Sequence, residues 1–560
     1  MKFRPFLPVS IYAAACLAVA MPLPSRAAST EPAPDADNGG LVLPPGFRAL
    51  IVADNLVLDK KTGKDSERLR GIAVAPNGDI YAKLVRGNIL AMRDTDGDGR
   101  VDVIKEFGPG DGGTHLMFHD GWLYHSSRTA VYRYKYIPGE LVPSGELQTI
   151  VKDLPAEKDH DAKAFAFDES GHMIVEVGSP YNVYSKPDRQ FGAKGMDATE
   201  FQKTYGGFWE FDANKLGQTQ ADGTRFSTGH RHSLALARQP VSKQFFMVMM
   251  GRDNMNIVAP DYYDALDNAE RVSEEMHRLT KGVNIGWPYT YWDPIKQARM
   301  IAPEFGGDNR KRAEVGKYDE PVIAFPGHWA PLQMAFYSGT QFPAHYHNGA
   351  FISFHGSWNR APQPQDGYKV VFVPFDDQGA PLGTYEDFAH AASEPKFRMG
   401  GVAVGPDGSL YLGETDKGRI WRVIYTGETP TATAATGVPS AAAVTAPLDP
   451  ALKRGHEAYV QYCAACHMAD GSGAGQMNPP LVGSVVIAGS ATQLIDVVLR
   501  GPTAVLPADR AKFANSMPPF PLLRDEQIAD ILTYLRTRLV QPATSSITAA
   551  EVAQRRGLLK

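Results

Sequence analysis

Polar and apolar positions between residues 41 and 425 fall into short alternating runs, each entered through a turn. Ala75-Pro76-Asn77-Gly78-Asp79 leads into Ile80-Tyr81, and His119-Asp120-Gly121 leads into Trp122-Leu123-Tyr124. Asp168-Glu169-Ser170-Gly171 precedes the alternation from His172 to Val175, and a weaker unit runs from Gln244 to Met250. His347-Asn348-Gly349 opens into Ala350-Phe351-Ile352, and Gly405-Pro406-Asp407-Gly408 into Ser409-Leu410-Tyr411. Turn chemistry ahead of alternating aromatic and β-branched residues marks strands joined as hairpins. Hairpins repeating at tens of residues imply blades that cover one another's faces, so the pattern predicts a mainly β fold, a six-bladed β-propeller. A single sandwich is the rival, but the span 41–425 exceeds what one sandwich holds. The repeat is uneven because Tyr181–Arg231 and Trp287–Gly327 are long, and long loops on a rigid scaffold are expected to carry a site.

Past residue 425 the pattern changes twice. Residues 426–450 are rich in Thr, Ala and Pro and almost uncharged, a composition that reads as a linker. The period then becomes helical. Leu452 to Tyr462 forms one predicted helix and Asp525 to Leu539 another, with Ile528, Ile531, Leu532, Leu535 and Leu539 on one stripe and Asp525 as N-cap. A small all-α domain is thus expected over 451–540, and the tail beyond gives no clear signal. At the other end, residues 1–28 read as an export signal: Lys2 and Arg4, an apolar run from Ile11 to Ala20, then Ser25-Arg26-Ala27 or Arg26-Ala27-Ala28. The run is too short for a spanning helix, and Ala13 fits poorly in a lipidation site at Cys16. A periplasmic location is expected.

Composition narrows the picture a little further. The chain is 43% hydrophobic and 21% charged, and its net charge of −5 disfavours a nucleic-acid partner. Plentiful Gly (54) and Pro (42) agree with many turns and short strands.

The strongest chemical signal is Cys463-Ala464-Ala465-Cys466-His467, the C-x-x-C-H attachment site of a c-type haem. The two thiols would take up the vinyl groups as thioethers, and His467 would be the fixed axial ligand. A zinc site needs further thiols, and of the three cysteines only Cys16 in the leader is left. For the opposite axial position, Met468 stands too close to His467 and Met477 lies in a Gly- and Pro-rich loop near the attachment site. Met517, in Asn515-Ser516-Met517-Pro518-Pro519, is expected to cross the distal side. Thioether ligation raises the potential and closes the iron, which suits an electron carrier. Asp94-Thr95-Asp96-Gly97-Asp98-Gly99 is spaced like the start of a calcium loop, but the twelfth position is Lys105, so a Ca²⁺ hairpin and an acidic turn both stay open.

Several blocks carry a family resemblance: Gly327-His328-Trp329-Ala330-Pro331-Leu332-Gln333-Met334-Ala335-Phe336-Tyr337-Ser338-Gly339, His355-Gly356-Ser357-Trp358-Asn359-Arg360, Gly367-Tyr368-Lys369-Val370 and Asn284-Ile285-Gly286-Trp287-Pro288. Residues 41–425 resemble the glucose/sorbosone dehydrogenase family, six-bladed propellers that use pyrroloquinoline quinone (PQQ), and its sorbosone-type branch in particular. Residues 451–539 resemble a class I cytochrome c. The resemblance implies that Arg231 lies by the reactive quinone carbonyls, that Arg360 and Arg398, joined by Lys396, bind the cofactor carboxylates, and that a calcium ion assists. His160 matches the general base, with His115 in reserve. His232 stands where the family commonly has asparagine, and Met399-Gly400-Gly401 where many members have a proline.

The expected protein is an exported quinohaemoprotein dehydrogenase. An aldose or sorbosone-like aldehyde would give hydride to PQQ, and haem c would pass electrons to a soluble cytochrome or the respiratory chain. Eight-bladed quinohaemoprotein alcohol dehydrogenases typically carry a vicinal cysteine pair, which is missing here. A non-catalytic ligand-binding propeller docked to a cytochrome is the alternative, and it predicts that the cations do not converge on one pocket.

Overall fold

The computed structural model describes residues 32–57, 67–157, 159–361, 363–393, 396–427, 450–463, 467, 471, 479–508, 510, 517, 519–521, 523–540 and 545–558. The expected export signal (1–28), nearly all of the linker (426–450) and Cys466 lie outside these residues.

Six antiparallel sheets of four propeller strands form the blades. Their first strands are Leu69–Val74, Leu116–His119, Phe165–Phe167, Ala235–Arg238, Pro331–Phe336 and Met399–Val404 in blades I to VI. Contacts run between the first strands of blades I and II, III and IV, IV and V, V and VI, and VI and I, so these strands line the axis. The ring is closed by the N-terminal strand Phe47–Ala53, which pairs in register with Ile420–Tyr425 (Phe47 opposite Tyr425) and supplies the outer strand of blade VI. Leu41–Val42 adds a fifth strand to blade V and covers its open edge.

All six turn units predicted from the alternation join the first strand of a blade to its second. The second strands are Ile80–Leu84, Trp122–Ser126, His172–Val177, Phe245–Met249, Ala350–Phe354 and Leu410–Glu414. Clean alternation fails in the blade interiors. Ile80–Leu84, Phe245–Met249 and Ala350–Phe354 are buried at every position, because neighbouring blades cover both faces of a central strand. Only an outer strand such as Val103–Phe107 shows its side chains to solvent.

Strand direction decides where the site can be. Since the strands alternate, the links between second and third strands fall on the same face as the links that start each blade. That face carries 178–206, 250–272 and 355–368 from blades III, IV and V, together with 152–164, 229–234 and 327–330.

The C-terminal domain is helical: Pro450–Tyr462, Ala491–Arg500, Asp525–Arg538 and Ala549–Gly557. The predicted stripe Ile528, Ile531, Leu532, Leu535 and Leu539 is buried in one core with Tyr459, Leu494 and Val498. Asp525 is not the cap: Arg524 holds that position, and the Asp525 carboxylate instead accepts from Arg556 at 2.8 Å. The domain also continues past the expected end at 540. Ala549–Gly557 buries Val552 in the same core and is tied down by an Arg555–Asp496 ion pair at 2.5 Å. With so few apolar residues, this helix left no stripe to read. No helix among the described residues is long and apolar enough to cross a membrane.

Candidate active site

A cavity of about 470 Å³ opens among the loops of blades III to V. Most of its lining residues carry polar side chains: Asp159 and His160 before blade III, Arg189, Arg231, then Asp253 and Asn254, Glu274, His328, and finally Ser357 and Asn359, with Met250, Gly251 and Ala330 among them. The long segment 287–327 does not line it. It acts from behind, where Glu304 grips Arg252 through two bonds at 2.6 and 2.9 Å with both side chains buried.

Arg231 is positioned by neighbours from several loops. Its Nη2 donates to Asp253 Oδ2 at 2.6 Å, while the other Asp253 oxygen receives His328 Nδ1 at 3.1 Å and His328 Nε2 contacts the Asn268 carbonyl at 2.8 Å. Asn182 exchanges two hydrogen bonds with the Asp253 backbone. Burial opposes a charge on Asp253, but the Arg231 guanidinium and then His328 outweigh it, so the carboxyl is held well below the usual range. Arg231 Nε is buried and has no hydrogen-bond partner among the described residues.

His160 sits on the same cavity with φ at +54°, a left-handed conformation that costs a non-glycine residue about 1–2 kcal/mol. Its Nδ1 lies 2.5 Å from the Ser179 carbonyl oxygen. A carbonyl only accepts, so Nδ1 carries the hydrogen and Nε2 is left as the basic nitrogen. Burial, then Arg231, then His232 push the imidazole well below its ordinary 6.5, so the ring is neutral at physiological pH. Near it, burial lifts the Glu274 carboxyl to about 7 despite His328 and two amides, Gly251 N at 2.8 Å and Ala330 N at 3.1 Å.

His160 and Arg231 therefore meet in one cavity, whereas the other expected cations stand outside it. Arg360 is occupied by Glu270 at 2.5 Å and by the carbonyls of Ala269, Gly327 and Pro364, so its guanidinium anchors the 355–360 loop and leaves Ser357 and Asn359 on the cavity. Arg398 reaches the Gly356 carbonyl of that loop at 3.3 Å and lies over the Tyr368 ring, with Lys396 over the same ring. Arg70 joins them: Arg68 and Arg398 oppose its charge after burial does, lowering it to about 10. His115 is buried against Phe165, ring centroids 4.9 Å apart, and burial drops it to about 4, which makes it a core residue.

Sequence reasoning missed Arg189, Glu274 and His328 as lining residues, whereas the resemblance had pointed to the Gly251-Arg252-Asp253 stretch only as a place for calcium. His328 was inside a quoted block without a role. Arg189 pairs with Asp159 at 3.0 Å across two loops, a contact that no local pattern announces.

The helical domain holds a second cavity, about 660 Å³ and mostly apolar, lined by Cys463, His467 and Met517 among Leu481, Ile487 and Val498. His467 Nδ1 contacts the Pro479 carbonyl oxygen at 2.9 Å, which orients the ring and frees Nε2 for a metal. These residues fit a covalent haem with one histidine and one thioether ligand. On the propeller, the ligand atoms of Asp94, Asp96 and Asp102 lie within 4.8 Å of one another, all exposed. They also accept from loop amides, Asp94 from Gly97 and Gly99 and Asp102 from Thr95, an arrangement common to an acidic turn and a calcium hairpin.

Comparison with known proteins agrees with both domains. Residues 70–426 match the TrAA12-like family and residues 452–538 the cytochrome c family. The propeller is similar in fold to the PQQ domain of a pyranose dehydrogenase from Coprinopsis cinerea, at 18% identity and a TM-score of 0.54, covering 69% of this chain and 97% of that one. A Trichoderma reesei AA12 carbohydrate-active enzyme, in its calcium structure, is similar at 16% identity and a TM-score of 0.55, covering 69% of this chain and 97% of that one. The cytochrome c subunit of a quinone-type alcohol dehydrogenase from Gluconacetobacter polyoxogenes is 37% identical over 120 residues, covering 21% of this chain and 25% of that subunit. This chain is therefore a member of the TrAA12-like family that carries a cytochrome c domain after its propeller.

Proposed function

We propose that the protein is an exported quinohaemoprotein dehydrogenase that oxidises an aldose or sorbosone-like aldehyde. The observation that carries this reading is the meeting of a neutral His160, with a bare Nε2, and a buried Arg231 on one polar cavity. Its volume falls within the range of about 300–1,000 Å³ usual for ligand sites. PQQ is a tricarboxylated ortho-quinone, and Arg231 and Arg189 are the cations on the cavity to meet it, while Arg360, Arg398 and Lys396 stand outside, as the binding-propeller alternative expects. Bound there, PQQ supplies a hydride acceptor and haem c a one-electron acceptor, with a calcium ion as the expected aid to the quinone.

Within that scheme His160 Nε2 receives the proton of the substrate hydroxyl. Arg231, fixed by Asp253, stabilises negative charge as it develops beside its guanidinium. Asp159, Asn254, Ser357 and Asn359 offer donors and acceptors to a polyhydroxylated substrate. Tethering raises the effective concentration of the haem domain at the propeller, and a soluble cytochrome or the respiratory chain is the proposed final acceptor.

The test uses the full-length haem protein with PQQ and Ca²⁺, following the reduced-haem absorbance band on addition of aldoses, sorbosone and simple alcohols. Haem reduction that requires both PQQ and an aldose or sorbosone is expected. Haem that stays oxidised with every sugar and aldehyde, though dithionite reduces it, would leave the binding-propeller alternative standing. A second expectation concerns Met517. Met517→Ala should lower the haem midpoint potential and create a carbon monoxide difference spectrum that the native protein lacks, since the thioether no longer closes the iron.

A further inference from the structure

Behind His160 lies a buried group that the scheme above does not use. The His232 ring stands against the His160 ring with centroids 4.8 Å apart and planes 30° from each other. His232 Nδ1 lies 3.1 Å from Glu176 Oε1, which also accepts from the Ser233 amide at 3.1 Å. Glu176 is fully buried and its second oxygen, Oε2, has no hydrogen-bond partner among the described residues. A Cβ on Gly178 would come within 2.7 Å of the His160 carbonyl oxygen, 2.9 Å of Glu176 Oε1 and 2.9 Å of His232 Nδ1. All three groups thus converge on a point that only glycine leaves open. Ser179, the acceptor for His160 Nδ1, is itself held by its own amide on the Arg231 carbonyl at 2.9 Å.

A half-satisfied buried carboxylate is unfavourable to stability, so its retention beside a base calls for another reason. We infer that His232, locked by Glu176, is a positioning residue that fixes the His160 ring with Nε2 toward the cavity. The inference rests on the dehydrogenase reading for its kinetic consequence but not for its geometry. The Ser179 carbonyl sets one edge of the His160 ring, and a single hydrogen bond still permits rotation about its own axis. The flat face of His232 removes that freedom. It needs Glu176 to hold it upright, because its own Nδ1 would otherwise lack an acceptor in a wall that is 5% exposed.

Charge works in the same direction. The groups facing His160 are Arg231, His232 and Asp253, with Asp159 and Arg189 also on the cavity and Lys163, which faces Glu176 and Asp161, behind. Burial is the first cause that disfavours the imidazolium, Arg231 the second and His232 the third. Removing the His232 ring therefore moves His160 toward easier protonation, and its pH midpoint rises.

The test compares His232→Asn, which keeps a donor for Glu176 and loses the ring, with His232→Phe, which keeps a ring and loses the donor. The readouts are PQQ affinity by fluorescence quenching, kcat and KM, and the pH profile of His160 acylation by diethylpyrocarbonate, resolved by peptide mass spectrometry in the full-length haem protein without PQQ. His232→Asn is expected to lower kcat by about 10–100-fold, the scale of a small misplacement of a reacting group. PQQ affinity and KM should stay within about threefold on the same argument, and the acylation midpoint should move to higher pH. His232→Phe is expected to recover only part of the lost kcat, because the flat face remains while its bond to Glu176 is gone. An unshifted acylation profile in His232→Asn, or equal losses in both variants, would overturn the inference. Should His232→Asn fail to fold, His232→Gln carries the same readouts. A wild type that binds no PQQ sinks the dehydrogenase reading instead, and the acylation profile alone then decides this inference.

Discussion

His160→Gln is expected to reduce kcat by about 10²–10⁴-fold, the contribution typical of a positioned general base, with little change in PQQ affinity. Glutamine can still donate to the Ser179 carbonyl that now receives His160 Nδ1, so the loop keeps its anchor. What it cannot do is take a proton. The pH profile supplies an independent check with a definite sign. A base acts in its neutral form, and burial, Arg231 and His232 together hold the His160 imidazole well below 6.5. Activity should therefore be level across neutral pH and fall only as the solution becomes more acid than the ordinary imidazole range. An acid limb at 6.5 or above that persists in Glu274→Gln, whose carboxyl is otherwise lifted to about 7 on the same cavity, would mean that another group is the base. Steady-state kinetics from pH 4 to 8, wild type against variant, decides between them.

Glu304→Leu is expected to destabilise the propeller by about 3–5 kcal/mol, the usual cost of removing one partner of a buried ion pair. Arg252 and Glu304 are 3% and 5% exposed, and two bonds at 2.6 and 2.9 Å join them. Without the carboxylate the guanidinium stays inside, with Nε already lacking a partner among the described residues. Water cannot reach it to compensate. Arg252→Met combined with Glu304→Leu should recover most of the loss, because two apolar groups of similar volume need no desolvation of charge. Urea unfolding midpoints of the two proteins test this directly. A single variant that costs less than about 1 kcal/mol, the range of exposed pairs, would show that the pair is hydrated. The pair also matters to the cavity, since Arg252 precedes Asp253, the residue that fixes Arg231.

Much of the architecture was legible along the chain. The six turn-and-strand units each became the first hairpin of a blade, even the weak unit before Phe245–Met249. They were readable because turn chemistry and side-chain alternation are local properties. The stripe on Asp525–Arg538 was legible for the same reason. Ala549–Gly557 was not, since a helix fastened by Arg555 to Asp496 and Arg556 to Asp525 depends on partners far away in sequence.

The site divided along the same line. A C-x-x-C-H run states its chemistry within five residues, and Met517 in its proline-bounded loop required only one further step. His160 and Arg231 could be named by resemblance, but nothing in their neighbourhoods says that they share a cavity. The contrast between Arg231 and Arg360 makes the point sharply. Both are buried arginines in propeller loops, yet Arg231 lines the cavity while Arg360 is absorbed by Glu270 and three carbonyls.

By itself, then, the sequence determined the repeating hairpins, the change to helices after the linker and the haem attachment chemistry. All three rest on residues within a few positions of each other. Only the tertiary structure decided which charges reach the cavity, which are neutralised behind it, and that His232 and Glu176 stand at the back of His160. A buried charge takes its role from the partners that desolvation forces it to find, and here those partners come from other loops of the ring.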